Sequence, residues 1–302
     1  MKKIYPLSAL LLLAGCLTWT ACSEDESLDL ETHDPSSFFE PADSDESPEA
    51  VLRRTFQQKH NSFLLFNDTL QHRFNGLDIN GDSTFWTELL ALDYVVGQTA
   101  YPSNGYTYNN MTSVEDKANA VTYLEENILP HISARLMPYS WYLCGQINYR
   151  QSSTAAPSHP YAATGQRCIV VAFSQLKKLK TDAQRKQFTS RILTAILPQL
   201  ASNRIEAFDA FYQVSEGYHD RTTTDNVTEA RHVVRYYGFL DYVKNIWGHC
   251  ATPTKEQDLT MYCTYSMTYT DEQIEQMYAD YPNVLKKWRI FKQVMTEIGF
   301  VF

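Results

Sequence analysis

The sequence predicts a single domain of the α+β class, with a small sheet in its N-terminal half and a mainly helical C-terminal half. Short apolar runs typical of buried strands precede residue 175, whereas longer segments with helical periodicity follow residue 180. The chain has 302 residues, of which 44% are hydrophobic, and no change in composition divides residues 51–302. We therefore expect one large core rather than two domains.

In the N-terminal half, predicted helices and strands alternate. The helices are residues 50–59, which follow Ser47 and Pro48 as N-cap and first helical residue, and residues 113–128, which begin with the spacing of a capping box. The predicted strands are three short apolar runs, at residues 62–66, 141–143 and 168–173. Residues 151–165, rich in Ser, Ala and Pro, are a predicted loop.

The C-terminal half contains five segments with helical patterns. They are residues 182–200, 227–242, 256–262, 271–278 and 283–298. The last is the clearest, because Val284, Trp288, Phe291 and Met295 share one face and Gly299 follows as a stop signal.

The N-terminus has the pattern of a bacterial lipoprotein signal. Two lysines precede an apolar run at residues 4–19, which is too short and one-sided for an ordinary membrane span, and a cysteine follows it. We favour Cys22 as the lipid anchor, because the acids in Ser23-Glu24-Asp25-Glu26 resemble the export signal of surface lipoproteins in Bacteroidetes. The alternative is Cys16, whose preceding Leu-Ala-Gly matches the usual lipobox more closely. A palmitate-type acyl anchor would hold the protein in outer-membrane lipid, facing outward.

The predicted signal peptide covers residues 1–21, and residues 22–48 are a predicted acidic, disordered tether before a domain at 49–302. The tether contains no Lys or Arg. Phe38 and Phe39 are its only sizeable apolar feature, and their docking on the domain is the alternative to full disorder. The net charge of −9 arises entirely before residue 51, because the rest of the chain has equal numbers of acidic and basic residues. No basic patch stands out, so nucleic acid is not an expected partner.

Two Glu-x-x-His units are candidate metal ligands: Glu216 with His219, and Glu229 with His232. On helices this spacing places both side chains on one face, and a helical hairpin around residues 220–227 would bring all four together. Coincidental pairs are the simpler interpretation. We expect no metal or cofactor, and keep a zinc site at these four residues as the alternative.

The body also carries Cys144, Cys168, Cys250 and Cys263. An envelope location permits disulfides, and four cysteines allow three pairings that the sequence cannot separate. Free buried thiols are an equal alternative.

From about residue 180, the order of landmarks resembles that of the zinc-binding metallopeptidase lipoproteins of Bacteroidetes, which are gluzincin-like. The landmarks are an amphipathic helix at 187–200, FDAFYQVS at 208–215, YGFLDY at 237–242, EQDL at 256–259, and a Lys-bearing helix at 284–297 before Ile298-Gly299-Phe300. The resemblance covers about the last 120 residues of the sequence and implies a metallopeptidase-like C-terminal half.

The chain departs from that family at the catalytic motif. The family's first helix carries His-Glu-x-x-His, in which two histidines bind zinc and the glutamate activates water. Thr194, Ala195 and Pro198 stand at those three positions here, and Met261 falls at the second glutamate of the family's Glu-Asp-Phe-Ala-Glu segment. The resemblance therefore implies a pseudoenzyme without catalytic residues.

Two functions follow as expectations. The first is a non-catalytic surface lipoprotein that binds a peptide, a glycan or a protein of an outer-membrane nutrient-uptake system. The second is a metal-dependent peptidase or other hydrolase with a relocated site, such as the four residues of the Glu-x-x-His units. Bound zinc would distinguish them.

Overall fold

The structure is a computed structural model that describes residues 39–90, 92, 105–152, 154–165 and 167–302. The predicted signal peptide, both candidate anchors Cys16 and Cys22, and most of the predicted tether lie outside the described residues. The described residues group into one compact unit. Their helices and small sheets confirm the predicted α+β class.

The principal sheet has four strands in the order β1-β5-β8-β7, which are Phe63–Leu65, Ser140–Cys144, Cys168–Ala172 and Ala162–Thr164. The first three run parallel, and β7 is an antiparallel edge strand inside the predicted loop at 151–165. Every residue of β5 and β8 is buried, because both faces of the sheet are covered. Continuous apolar runs are typical of such strands.

Three two-stranded ribbons complete the β structure. They pair β2 (Thr69–Leu77) with β3 (Ser83–Leu89), β4 (Gly105–Asn109) with β6 (Gln146–Arg150), and β9 (Val243–Lys244) with β10 (Cys250–Ala251). The β2–β3 ribbon closes on a turn in which the Asp78 carboxylate accepts the backbone N–H groups of Asn80 and Asp82.

The described part of the chain forms eight α-helices. They are α1 (Pro48–His60), α2 (Val114–Asn127), α3 (Asp182–Ser202), α4 (Asp209–Gln213), α5 (Val227–Tyr236), α6 (Lys255–Ser266), α7 (Asp271–Met277) and α8 (Pro282–Ile298). Capping boxes at Thr181, Thr254 and Thr270 begin α3, α6 and α7. Gly299 ends α8 at a φ of 112°, as its position predicts.

The sheet separates two buried clusters, because alternate side chains of a strand point to opposite faces. Trp141, Leu143, Ile169 and Val171 join the large cluster that the helices cover. Tyr142, Cys144, Cys168 and Val170 face the smaller cluster, which also contains Phe39 and Leu65.

The folded body begins before the boundary predicted at residue 49. Phe39 is only 1% exposed, and the Arg53 Nη2 atom donates to the Phe39 carbonyl at 2.6 Å. The end of the predicted tether is therefore part of the core. Although the segment is acidic, its Phe39 side chain packs in the smaller apolar cluster.

Two helix ends also differ from the sequence predictions. The helix predicted at 227–242 stops at Tyr236, because Gly238 turns the chain at a φ of +94°. The helix predicted at 182–200 continues through Pro198 to Ser202.

Candidate functional site

Thr194, Ala195 and Pro198, which the sequence analysis compares with the His-Glu-x-x-His motif, lie on α3. Its core-facing stripe consists of Ile192, Leu193, Ile196 and Leu197. Ala195 is exposed, and Thr194 and Pro198 are half-buried beside that stripe. Neither the alanine methyl nor the proline ring can bind a metal or transfer a proton, so these three positions form the side of a packing helix rather than a zinc site.

The four residues of the predicted Glu-x-x-His units are not brought together as a metal site. The stretch from Glu216 to His219 is a turn, not a helix, so the first unit lacks the expected helical face. His232 lies on α5 and contacts the Tyr281 hydroxyl at 3.1 Å, while the Glu229 carboxylate accepts from Thr224. Within the described ranges, no three His, Cys, Asp or Glu side chains group as metal ligands.

His219 instead belongs to a buried polar cluster that sequence reasoning missed. Its Nε2 atom lies 3.0 Å from Asp258 Oδ2, and the same oxygen accepts from Lys287 Nζ at 2.5 Å. The side chains of Lys287 and Asp258 are 0% and 1% exposed. Asp258 lies in the first turn of α6, and Lys287 lies on the buried face of α8. A charged residue at a core position of a helical pattern is the sequence signal that could have identified this cluster.

Ser215 completes the cluster. Its hydroxyl accepts from Lys287 Nζ at 2.8 Å and donates to the Tyr237 carbonyl at 2.8 Å. Aromatic rings surround the ammonium, with centroids of Phe211 and Phe239 at 4.4 and 4.7 Å. Burial lowers the pKa of Lys287, and the opposing charge of Asp258 acts to raise it.

This cluster braces the C-terminal helices rather than performing chemistry. A Ser beside a Lys of lowered pKa has the composition of a nucleophile and its base. However, Ser215 and Lys287 are fully buried, and the serine proton is already committed to a backbone carbonyl. Substrate would have to enter the packed core to reach either group.

A second candidate is an open cavity of about 590 Å³, which we call the α2 cleft. It lies at the carboxyl ends of the parallel strands β5 and β8, where Gly145, Phe173 and Ser174 form its base. Crevices at this edge of parallel sheets are frequent ligand sites, and the volume is within the usual range for small-molecule pockets.

One wall of the α2 cleft is a polar face of α2. Asp116, Asn119, Thr122, Tyr123 and Glu126 recur three or four residues apart and line the cavity. This spacing is visible in the sequence, but polar residues at helical spacing are typical of any solvent-facing helix surface, so the pattern alone does not indicate a cavity. The opposite wall is the segment from Ser174 to Arg185, which contributes Lys177, Lys180 and Arg185.

Hydrogen bonds fix the two walls relative to each other. The Tyr123 hydroxyl on α2 donates to the Arg185 carbonyl at 2.8 Å and contacts Thr189 Oγ1 at 2.9 Å. At the base, the Ser174 backbone N–H donates to the Gly145 carbonyl at 2.7 Å. At the rim, Lys177 forms a 2.8 Å ion pair with Asp116. The cleft is therefore preformed rather than a gap between mobile parts.

The cysteines offer no further site. Cys144, Cys168, Cys250 and Cys263 are all free and buried, which answers the pairing question that the sequence left open. Burial raises the pKa of the Cys144 and Cys168 thiols to about 12, so neither is an activated nucleophile.

No helix in the described part of the chain has the length and apolar character required to cross a membrane. Comparisons of the chain with protein-family models, with curated proteins and with solved structures found no match.

Proposed function

We propose that this protein is a non-catalytic lipoprotein, anchored through Cys22 to the outer membrane and exposed at the cell surface. It would bind a ligand as an accessory component of a nutrient-uptake system. The metallopeptidase-like C-terminal half would then serve as a scaffold, with Thr194, Ala195 and Pro198 in place of catalytic groups.

The α2 cleft is the observation that carries this proposal. Its lining combines amides and hydroxyls, such as Asn119, Thr122 and Ser174, with charges of both signs. These groups can orient a polar ligand, but the lining offers neither a Cys nor a His as nucleophile or base at neutral pH. Binding without turnover is the function that this arrangement supports best.

Retained ligand is the direct test. The full-length protein would be incubated with a low-molecular-mass extract of growth medium, and bound compounds identified by native mass spectrometry. We expect Asn119→Trp, which fills the cleft, to abolish retention. Glu115→Gln, an exposed change on α2 outside the cleft, should preserve it. Equal retention by wild type and Asn119→Trp would contradict the proposal.

Metal analysis separates this proposal from the hydrolase alternative. We expect no stoichiometric zinc in protein purified without chelator, because His219 and His232 have separate partners in Asp258 and Tyr281. About one zinc per chain, lost in the double variant His219→Ala and His232→Ala, would instead support a relocated metal site.

The anchor is tested separately from the cleft. Cys22→Ala should release the protein from membranes. Replacing Glu24, Asp25 and Glu26 with Ala should retain it inside the cell. Lipid labelling that survives Cys22→Ala but not Cys16→Ala would assign the anchor to Cys16.

A further inference from the structure

The charges around the α2 cleft are separated by sign. The α2 wall carries the carboxylates of Asp116 and Glu126, and the opposite wall carries the cations Lys177, Lys180 and Arg185. Asp116 and Glu126 lie ten residues apart, which corresponds to about 15 Å along the helix. The α2 wall therefore carries one carboxylate towards each of its ends, and the lining cations lie on the opposite wall.

One of these ends is already neutralised by the protein. Lys177 pairs with Asp116 at 2.8 Å, although its side chain is 74% exposed. This ion pair shows that opposite charges on the two walls can meet at the Asp116 end. A ligand there would have to displace it.

The other end holds an acid and a base that are not paired with each other. Tyr123 places the Arg185 backbone against α2, and Glu126 lies three residues further along the same helix face. In the described part of the chain, neither the Glu126 carboxylate nor the Arg185 guanidinium forms an ion pair. Both residues also line a neighbouring cavity of about 500 Å³, so the two cavities adjoin at this acid and this base.

We propose that this junction binds the ammonium and carboxylate groups of a free α-amino acid. This inference deepens the proposed function and rests on it, because it names the ligand of the same cleft. Glu126 receives the ammonium group, Arg185 receives the carboxylate as a bidentate partner, and Lys180 adds positive charge on the carboxylate side. The amino-acid side chain lies in the α2 cleft, towards Asn119 and Ser174.

The other charged groups near the junction are compatible with this polarity. The neighbouring cavity contributes Asp182, Lys186 and His131, so its acid and its base offset each other. Glu126 and Arg185 are both exposed, so a ligand with only one charge would gain one charge-assisted contact at the junction instead of two.

The test uses the full-length protein and the common L-amino acids, screened at millimolar concentration by ligand-observed NMR and followed by calorimetry. For the tightest ligand, we expect N-acetylation or amidation of the carboxylate to weaken binding at least about tenfold each. Glu126→Gln should weaken the amino acid but not its N-acetyl derivative. Arg185→Gln should weaken the amino acid but not its amide. Glu115→Gln and Lys178→Gln, which are exposed changes outside the cleft, are the matched controls.

The outcomes separate this inference from the proposed function. If no amino acid binds, or if blocking either charged group leaves affinity unchanged, the inference is wrong. A neutral glycan retained by wild type and lost in Asn119→Trp would leave the binding function standing and overturn only the amino-acid assignment.

Discussion

At the scale of single residues, the ion pair of Lys287 and Asp258 is buried on both sides. Both charges are removed from water, which costs several kcal/mol per ion unless each is well paired. The 2.5 Å contact, the Ser215 hydroxyl and the surrounding rings offset that cost for Lys287. Asp258 Oδ1 has no hydrogen-bond partner among the described residues, so the carboxylate depends on the contacts of its other oxygen.

Removing one partner of this pair should therefore be costly. We expect Lys287→Met to lower the free energy of unfolding by about 3–5 kcal/mol, because it leaves the Asp258 charge buried with His219 as its one remaining side-chain partner. Adding Asp258→Leu should restore part of the loss. Urea denaturation measures both, with Lys286→Met, an exposed neighbour on α8, expected within about 0.5 kcal/mol of wild type. A Lys287→Met protein as stable as this control would show that the pair contributes little.

The buried thiols give a prediction with a defined pH dependence. Burial raises the pKa of Cys144 and Cys168 to about 12 in the folded state, above the value of about 8.5 for a free thiol. Their contribution to stability is thus present below about pH 8.5 and is lost as the pH rises towards 12. At pH 8 we expect iodoacetamide to alkylate no body cysteine in the native protein and all four after denaturation, as counted by intact mass. Rapid native labelling of Cys144 would contradict this burial.

At the scale of elements, local signals explain why some helices lie close to their predicted positions. The capping boxes, the stripe of α8 and Gly299 act within one or two turns, so residues 182–200, 271–278 and 283–298 lie close to the observed helices. Strand β7 and the early end of α5 were not predicted, although their causes lie close in sequence: β7 pairs with β8 across a short hairpin, and Gly238 follows α5 by two residues. Ala162–Thr164 is a strand because β8 pairs with it, which no local pattern indicates.

The turn after α5 should be sensitive to any side chain at Gly238. Its φ is +94°, and an added Cβ would lie 3.1 Å from Ser215 Oγ and 3.3 Å from Val214 Cγ1. Gly248 is a matched control, because its φ is +81° and nothing lies within 4 Å of an added Cβ. We expect Gly248→Ala to cost about 1–2 kcal/mol from backbone strain alone. Gly238→Ala should cost at least about 1 kcal/mol more through overpacking against the polar cluster. Equal losses in the free energy of unfolding for the two variants would show that Ser215 shifts to make room at no cost in stability.

At the scale of the whole molecule, the sequence predicted the fold class and the order of the main helices and strands. It predicted neither the buried polar cluster nor the α2 cleft. Periodicity identifies which residues are buried, and it therefore identified the core of α3 and α8. It does not identify which charged residues meet, since Asp258 and Lys287 are 29 positions apart and Lys177 and Asp116 are further apart still. The α2 cleft forms between a helix and a segment that follows four strands later, so its existence depends on the parallel order of β5 and β8 in the sheet.

The boundary of the folded body is the remaining test at this scale. Composition predicts that residues before Ser47 are dispensable, but Phe39 packs against Phe63 and Tyr139 with ring centroids 5.6 and 5.0 Å apart. We expect Phe39→Ala to cost about 3–5 kcal/mol, as for other large aromatic truncations in a core.

A chain that begins at Ser47 should lose at least as much stability as Phe39→Ala. Besides the ring, it lacks the Phe39 carbonyl that accepts from Arg53 and the Ala42 and Asp45 carbonyls that accept from Arg54. Its control is a chain that begins at Phe38, which keeps these acceptors and should unfold at the same urea concentration as one that begins at Ser23. If the chain beginning at Ser47 were as stable as this control, the acidic segment would be dispensable as its composition predicts, and the burial of Phe39 would contribute no net stability.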